Sequence, residues 1–345
     1  MHLVMNSIFL YRLVVFIGLI ILLTMFKCGS GEHRKMRIES GIKNLAYYES
    51  CLFFTPEIGL VGGQKEGNAY CWKTTDGGRH WQQKKKLANG MVWDLTEKDG
   101  VAYATVVKRE KDTLLYTHSV YISCDQGENW QLKCEIVAEN TFIDLLVLND
   151  KRMFMVLKTG LLETRDGGKN WELTREREPC RKLSIDDKYL YYSFFHTSPE
   201  RVSIYYLVRR SLTSGKERLV KLPIGHDVNA TCGDVVIIGK SKHMGSYRLE
   251  EDMTLTFLGQ LKQQSYDIEY IYRQGKQLYA TMMVSIGLYK LLYSPDGGHR
   301  WKFVDKGSWG GAPTCMLSDS SQVQIFILDM PHWLRSYQHK RIFSD

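Results

Sequence analysis

The sequence predicts an all-β protein, a β-propeller of seven four-stranded blades, with six blades as the alternative. Three observations lead there. An eight-residue turn pattern recurs along the chain, its copies lie about 44 residues apart, and the intervals hold short apolar runs broken by polar turns. The composition agrees. In 345 residues, 44% are hydrophobic, 24% charged and 12% aromatic, with 29 Gly and 7 Pro. Such a chain buries a core and favours strands and tight turns, which excludes a disordered tail, a helical bundle and a multi-span membrane protein.

The first element is an apolar segment. Leu13 to Phe26 is an uncharged run of 14 residues, preceded by Arg12 and followed by Lys27-Cys28-Gly29-Ser30-Gly31. That length suits a signal-peptide core and falls short of the ~20 residues of a comfortable membrane span. A cysteine so close behind such a run resembles a bacterial lipoprotein signal, and the resemblance implies that the Cys28 thiol is diacylated. The alternative is an uncleaved signal anchor, Ile8 to Phe26 inserting with Arg12 snorkelling. In both readings residues 1–28 are signal or anchor. Residues 29–345 form one domain, exported and tethered at the bacterial cell envelope.

The repeat follows. Four segments share Ser or Thr, any, Asp, any, Gly, any, any, Trp. They are Thr74-Thr75-Asp76-Gly77-Gly78-Arg79-His80-Trp81, Ser123-Cys124-Asp125-Gln126-Gly127-Glu128-Asn129-Trp130, Thr164-Arg165-Asp166-Gly167-Gly168-Lys169-Asn170-Trp171 and Ser294-Pro295-Asp296-Gly297-Gly298-His299-Arg300-Trp301. The aspartate accepts backbone N–H groups of its own turn, the hydroxyl adds a further bond, and glycine permits positive φ. Trp is expected to begin the next strand and fill the seam between neighbouring sheets.

The aspartates 76, 125 and 166 lie 49 and 41 residues apart, whereas 166 to 296 spans 130. Two decayed copies fill that gap. Ser211 to Arg218 keeps Ser and Gly without Asp or Trp, and Glu250 to Phe257 keeps Asp252 with Phe in place of Trp. The mean interval becomes 44 residues, the length of a four-stranded blade.

Each copy is preceded by strand signals: Phe142 to Leu148, Met153 to Leu157 and Leu161 to Thr164 in the third unit, and Ile268 to Tyr272, Gln277 to Val284 and Leu288 to Ser294 in the sixth. Thr314 to Leu317, Gln322 to Leu328 and Trp333 to Gln338 make three strands without a box. A strand within Lys35 to Ser40 supplies the fourth, closing the ring by pairing N- and C-terminal strands.

Charge and cysteines narrow the chemistry. The net charge is +8, yet the one tight basic run is Lys84-Lys85-Lys86, read as a solvated face, so no nucleic-acid partner is expected. No CxxC pair or nearby His argues for zinc, and no GxGxxG or P-loop argues for a cofactor; none is expected. Eight cysteines less Cys28 leave an odd number, which fits buried free thiols better than a full disulfide framework. Cys124 and Cys134 flank one turn and could pair in an oxidising compartment.

The four boxes make the chain resemble the Asp-box (BNR repeat) propeller superfamily. Glu57-Ile58-Gly59-Leu60-Val61-Gly62-Gly63 with the first box is similar to blades of photosystem II assembly-factor propellers and their bacterial relatives. The resemblance implies that Asp76, Asp125, Asp166 and Asp296, with their Ser or Thr, Gly and Trp partners, are structural residues at peripheral turns. No catalytic residue is assigned.

Two functions follow as expectations. The first is a non-enzymatic, tethered propeller that binds a protein, peptide or glycan at its face or central cleft, as assembly factor, scaffold or sequestering, immunity-type protein. Its candidate loops are Lys108 to Thr113 and His196 to Arg201, with Tyr191, Tyr192, Phe194 and Phe195 nearby, an aromatic group that core packing also explains. The alternative is a sialidase-like glycoside hydrolase, which needs an arginine cluster and carboxylates in the central cleft. Met36-Arg37-Ile38-Glu39 stands where the first such arginine is expected, while Asp186-Asp187 and Glu250-Glu251 fall on turns.

Overall fold

A computed structural model describes residues 32–37, 47–139, 142–157, 160–176, 180–239, 243–261, 267–285, 288–304, 313–318, 322–329 and 333–340. The apolar segment and Cys28 lie outside them. The strands are antiparallel, and no α-helix occurs among the described residues. They group into seven sheets, each built from strands consecutive in the chain except the last. Six are numbered here in chain order. The closing sheet takes Pro313–Ser318, Gln322–Asp329 and Trp333–Lys340 from the C-terminus and Glu32–Arg37 from the N-terminus. Glu32 pairs with Gln338 and Arg37 with Trp333.

The first strand of each sheet lies beside the first strand of the next. In order these are Tyr47–Phe53, Met91–Lys98, Phe142–Val147, Cys180–Ile185, Asp227–Cys232, Asp267–Gln274 and Pro313–Ser318, and the last lies against the first. A β-bulge interrupts all seven at a corresponding place, for example between Val92 and Asp94 and between Phe142 and Asp144. A bulge bends its strand and increases local twist.

The core sits between sheets. Cys51, Leu60, Val61 and Trp72 of the first sheet pack with Val92, Leu95 and Ala104 of the second. Val120 and Cys134 of the second meet Leu145, Met153 and Met155 of the third, and similar clusters join third to fourth, fourth to fifth and fifth to sixth. This follows from strand periodicity. Runs such as Met153-Phe154-Met155-Val156-Leu157 are buried on both faces because each sheet has a neighbour on either side.

The boxes lie at the turn from third to fourth strand of the first, second, third and sixth sheets. Each Trp precedes the fourth strand by one residue rather than beginning it. Trp130 packs in the seam between first and second sheets, Trp171 between second and third, and Trp301 between fifth and sixth. The indole Nε1 of Trp301 donates to Ser246 Oγ of the fifth sheet at 3.1 Å. The first sheet departs from four strands. Its outer strand is split into Gln82–Gln83 and Ala88–Asn89, both pairing with Asn68–Thr74, and Lys84-Lys85-Lys86 lies in the break.

Two further expectations are corrected. Cys124 and Cys134 are both free thiols. Cys134 faces the seam opposite Val120 while Cys124 sits on the exposed turn, so they do not face one another. Phe257, aligned with the box Trp, is 56% exposed on its outer strand and touches only the neighbouring Tyr247 ring among the aromatic residues described.

The second box glycine meets the preceding sheet. A Cβ on Gly168, whose φ is +93°, would stand 2.6 Å from the Cys134 side chain, whereas a Cβ on Gly67, at φ +76°, would meet nothing within 4 Å. Gly67→Ala is therefore expected to cost about 1 kcal/mol from the backbone alone, and Gly168→Ala about 2–5 kcal/mol from backbone and overpacking together. Denaturant unfolding of both variants checks the difference.

Candidate functional site

Two sets of carboxylates compete for a functional role, and their surroundings differ. The first set is the boxes. Thr74, Ser123, Thr164 and Ser294 are almost fully buried. Each hydroxyl accepts the N–H of the second box glycine at 2.8–2.9 Å. Each then donates to the aspartate Oδ1 at 2.7–3.0 Å. The same Oδ1 accepts the backbone N–H of the residue four positions on, His80, Asn129, Asn170 or Arg300, at 2.9–3.0 Å. Oδ2 contacts that residue's side chain at 2.6–2.8 Å. The N–H of Gly77, Gly167 and Gly297 ties the turn to the hairpin carbonyls of Glu57, Lys151 and Lys276, each at 2.8 Å. Gln126 replaces that glycine in the second box and adopts φ +56°.

These bonds stabilise the charged form. The Asn129 backbone N–H holds Asp125 down to about 2, and the Asn170 backbone N–H does the same for Asp166. In Asp76 burial opposes, but the His80 and Thr74 bonds outweigh it and the carboxyl again falls to about 2. A carboxylate saturated by its own turn and lowered this far is a poor general acid or base at neutral pH.

The decayed copies do not reproduce the clamp. Ser211 Oγ accepts the N–H of Ser214, three residues on, because no aspartate draws in a later N–H. Asp252 Oδ1 accepts from the backbone and hydroxyl of Thr254, two residues on, since Glu250 offers no hydroxyl before it.

The second set is central and belongs to none of the sequence motifs. Asp94 and Asp144 occupy neighbouring first strands, each just after the bulge. Both are deeply enclosed by protein yet keep some exposure, a combination that the inner wall of a ring produces. Ser50 belongs to the adjacent first strand, and its hydroxyl accepts the Leu95 N–H at 3.0 Å and lies 3.5 Å from Asp94 Oδ1. Burial pushes Asp94 up to about 6, opposed by the Leu95 N–H and Ser50. Burial and then the charge of Asp94 push Asp144 up to about 7. The signal was present in the sequence as Trp93-Asp94-Leu95 and Ile143-Asp144-Leu145, a lone acid at one place in two successive units.

The remaining candidates resolve simply. Tyr191, Tyr192 and Phe194 are buried between sheets and are core, whereas Phe195 is half-buried against the Tyr205 ring. Asp186 Oδ1 accepts the N–H groups of Lys188 and Tyr189, and Oδ2 accepts the Tyr191 hydroxyl, which makes it a turn residue. Arg37 lies on the outer edge strand of the closing sheet, farthest from its inner strand, the wrong place for a central arginine. Both candidate loops connect second to third strands; the first lines an open recess with Arg109, Glu110 and Leu114. Among the described residues no group of His, Cys, Asp and Glu is arranged to hold a metal.

No protein-family model and no curated protein sequence matches this chain. Solved structures do. YCF48 from Cyanidioschyzon merolae is 14% identical, with TM-score 0.55 over 88% of this chain and 98% of that one. An ancestral GH74 enzyme gives TM-score 0.53 at 11% identity, over 86% of this chain and 48% of that one. The extracellular domain of the putative hybrid two component system BT3049 from B. thetaiotaomicron gives 0.55 at 12%, over 87% and 41%. These neighbours establish the fold as a β-propeller.

Two outcomes test the assignments. Ser123→Ala leaves the buried Gly127 N–H without its acceptor and is expected to cost about 1–2 kcal/mol in denaturant unfolding. The pH dependences have opposite signs. Box aspartates bind fewer protons folded than unfolded, so their stabilisation is complete above about pH 4 and is lost as pH falls towards about 2. Asp94 and Asp144 bind more, so their ionisation lowers stability as pH rises from about 4 through about 7. Asp144→Asn should flatten the decline of Tm between pH 5 and 8.

Proposed function

We propose that the seven sheets are the blades of one seven-bladed propeller, residues 29–345, tethered at the cell envelope through the N-terminal segment, with Cys28 as the lipid anchor. The domain binds a protein partner and performs no chemistry. The observation that carries this reading is on the outer strands of four successive sheets. Leu132 and Val137, Leu173, Leu219 and Phe257 are large apolar side chains about half exposed, at 48–57%. Exposed apolar surface repeated on a rigid rim favours association, and the box aspartates act as structural clamps that keep the rim rigid.

The second reading, a glycoside hydrolase, is favoured by Asp94 and Asp144. Two carboxyls with raised pKa at the centre of a ring are the components of acid/base chemistry. Against it, their first contacts are Ser50 and backbone N–H groups rather than arginines.

The test is affinity capture from membrane extract with the intact protein, followed by mass spectrometry, alongside Leu219→Glu with Phe257→Glu. A stoichiometric protein lost by the double variant is the expected result. Turnover of chromogenic glycosides that Asp144→Asn abolishes would replace binding with hydrolysis.

A further inference from the structure

The fourth and fifth sheets, which carry the two decayed copies, meet at a recess of about 530 Å³, lined by Tyr189, Arg209, Ser211, Ser214, Lys216, Arg218, Glu251 and Asp252. Its size falls in the range of small-ligand sites. In three other seams a box Trp plugs the corresponding place, Trp130, Trp171 and Trp301. Here Phe257 stays outside and the opening remains.

The charges in this opening are unusual. Arg209 is only 6% exposed. Its NH1 donates to the Glu250 carbonyl at 2.9 Å and its NH2 to the Glu251 carbonyl, while its guanidinium lies 4.8 Å from the centre of the Tyr189 ring. Arg218 NH1 donates to the same Glu251 carbonyl at 3.1 Å. Two guanidinium groups thus share one oxygen. Among the described residues no carboxylate forms an ion pair within 4 Å of Arg209, Lys216 or Arg218, although the charge of Asp252 acts on Arg209 from farther off. Like charges held together beside low-dielectric protein repel, and a bound anion removes that cost.

We propose that this recess binds a phosphate-bearing ligand. Arg209 is the buried anchor, held in place by Tyr189 and the two carbonyls. Arg218 and Lys216 approach from the exposed side, and the Ser211 and Ser214 hydroxyls stand beside them as neutral donors. Three cations around one small recess match a phosphate monoester, which carries up to two charges and several acceptor oxygens, better than a single carboxylate. Glu251 and Asp252 at the edge repel additional negative charge. Thr254 engages Asp252 Oδ1, and the three cations of the lining outnumber its two carboxylates.

Full-length protein in neutral detergent is titrated calorimetrically with inorganic phosphate, glycerol 3-phosphate, dihexanoyl phosphatidic acid and acetate, beside the variant Lys216→Gln with Arg218→Gln. Both replaced side chains are exposed, and an unchanged ligand-free Tm confirms that the variant is folded. The proposal expects saturable binding of both soluble phosphates, at least tenfold weaker in the variant. Phosphatidic acid binding at least tenfold tighter than glycerol 3-phosphate would identify a lipid headgroup as the source; equal or weaker binding would identify a soluble ester. Equal affinity in wild type and variant, acetate binding as tightly as phosphate, or no saturable binding overturns the proposal.

Discussion

In four sheets one buried hydroxyl stands between a glycine N–H and an aspartate oxygen, accepting from the first and donating to the second. Much of the rim depends on this relay. The aspartate in turn gathers the exposed N–H four residues on, and the two buried groups, the hydroxyl and the glycine N–H, are satisfied within one turn. The turn then presents the second glycine to the preceding sheet at a distance that admits no Cβ, as at Gly127 against Leu60 and Gly168 against Cys134. Local hydrogen bonding and packing between sheets are thereby one device.

Where the relay is lost the seams are solved differently. Between third and fourth sheets the buried Glu163 takes Arg152 Nε at 2.8 Å and Arg210 NH2 at 2.7 Å, and Glu217 accepts the Tyr192 hydroxyl. An ionic group there does what an indole does elsewhere, with charges that are tolerable because they are paired. Between fourth and fifth sheets the guanidinium groups of Arg209 and Arg218 turn to backbone carbonyls instead, and a recess stays open beside the apolar part of the seam. The two decayed copies therefore mark where the ring is chemically distinctive.

The boxes were legible because a turn clamp demands fixed residue types at fixed offsets, and strands such as Met153–Leu157 and Leu288–Ser294 were legible because both faces are apolar or alternate. Asp94 and Asp144 were not, since an acid within an apolar strand carries no periodicity of its own and acquires meaning only when the bulged strands stand side by side. The orientation of Arg218 was hidden for a related reason. Aligning Ser211 to Arg218 on the template puts it at the Trp position, but the turn closes on Ser214, and Arg218 reaches the fifth sheet instead. Phe257 aligned correctly by type and still faces outward, because no clamp draws its strand into the seam.

Amide hydrogen exchange resolved at single residues measures the relay directly. The account predicts slow exchange at Gly78, Gly127, Gly168 and Gly298, whose N–H groups end on buried hydroxyls, and faster exchange by at least tenfold at Ser214 and Thr254 in the turns without it. Equal protection at all six amides would contradict the claim that the hydroxyl–aspartate relay is what holds the rim.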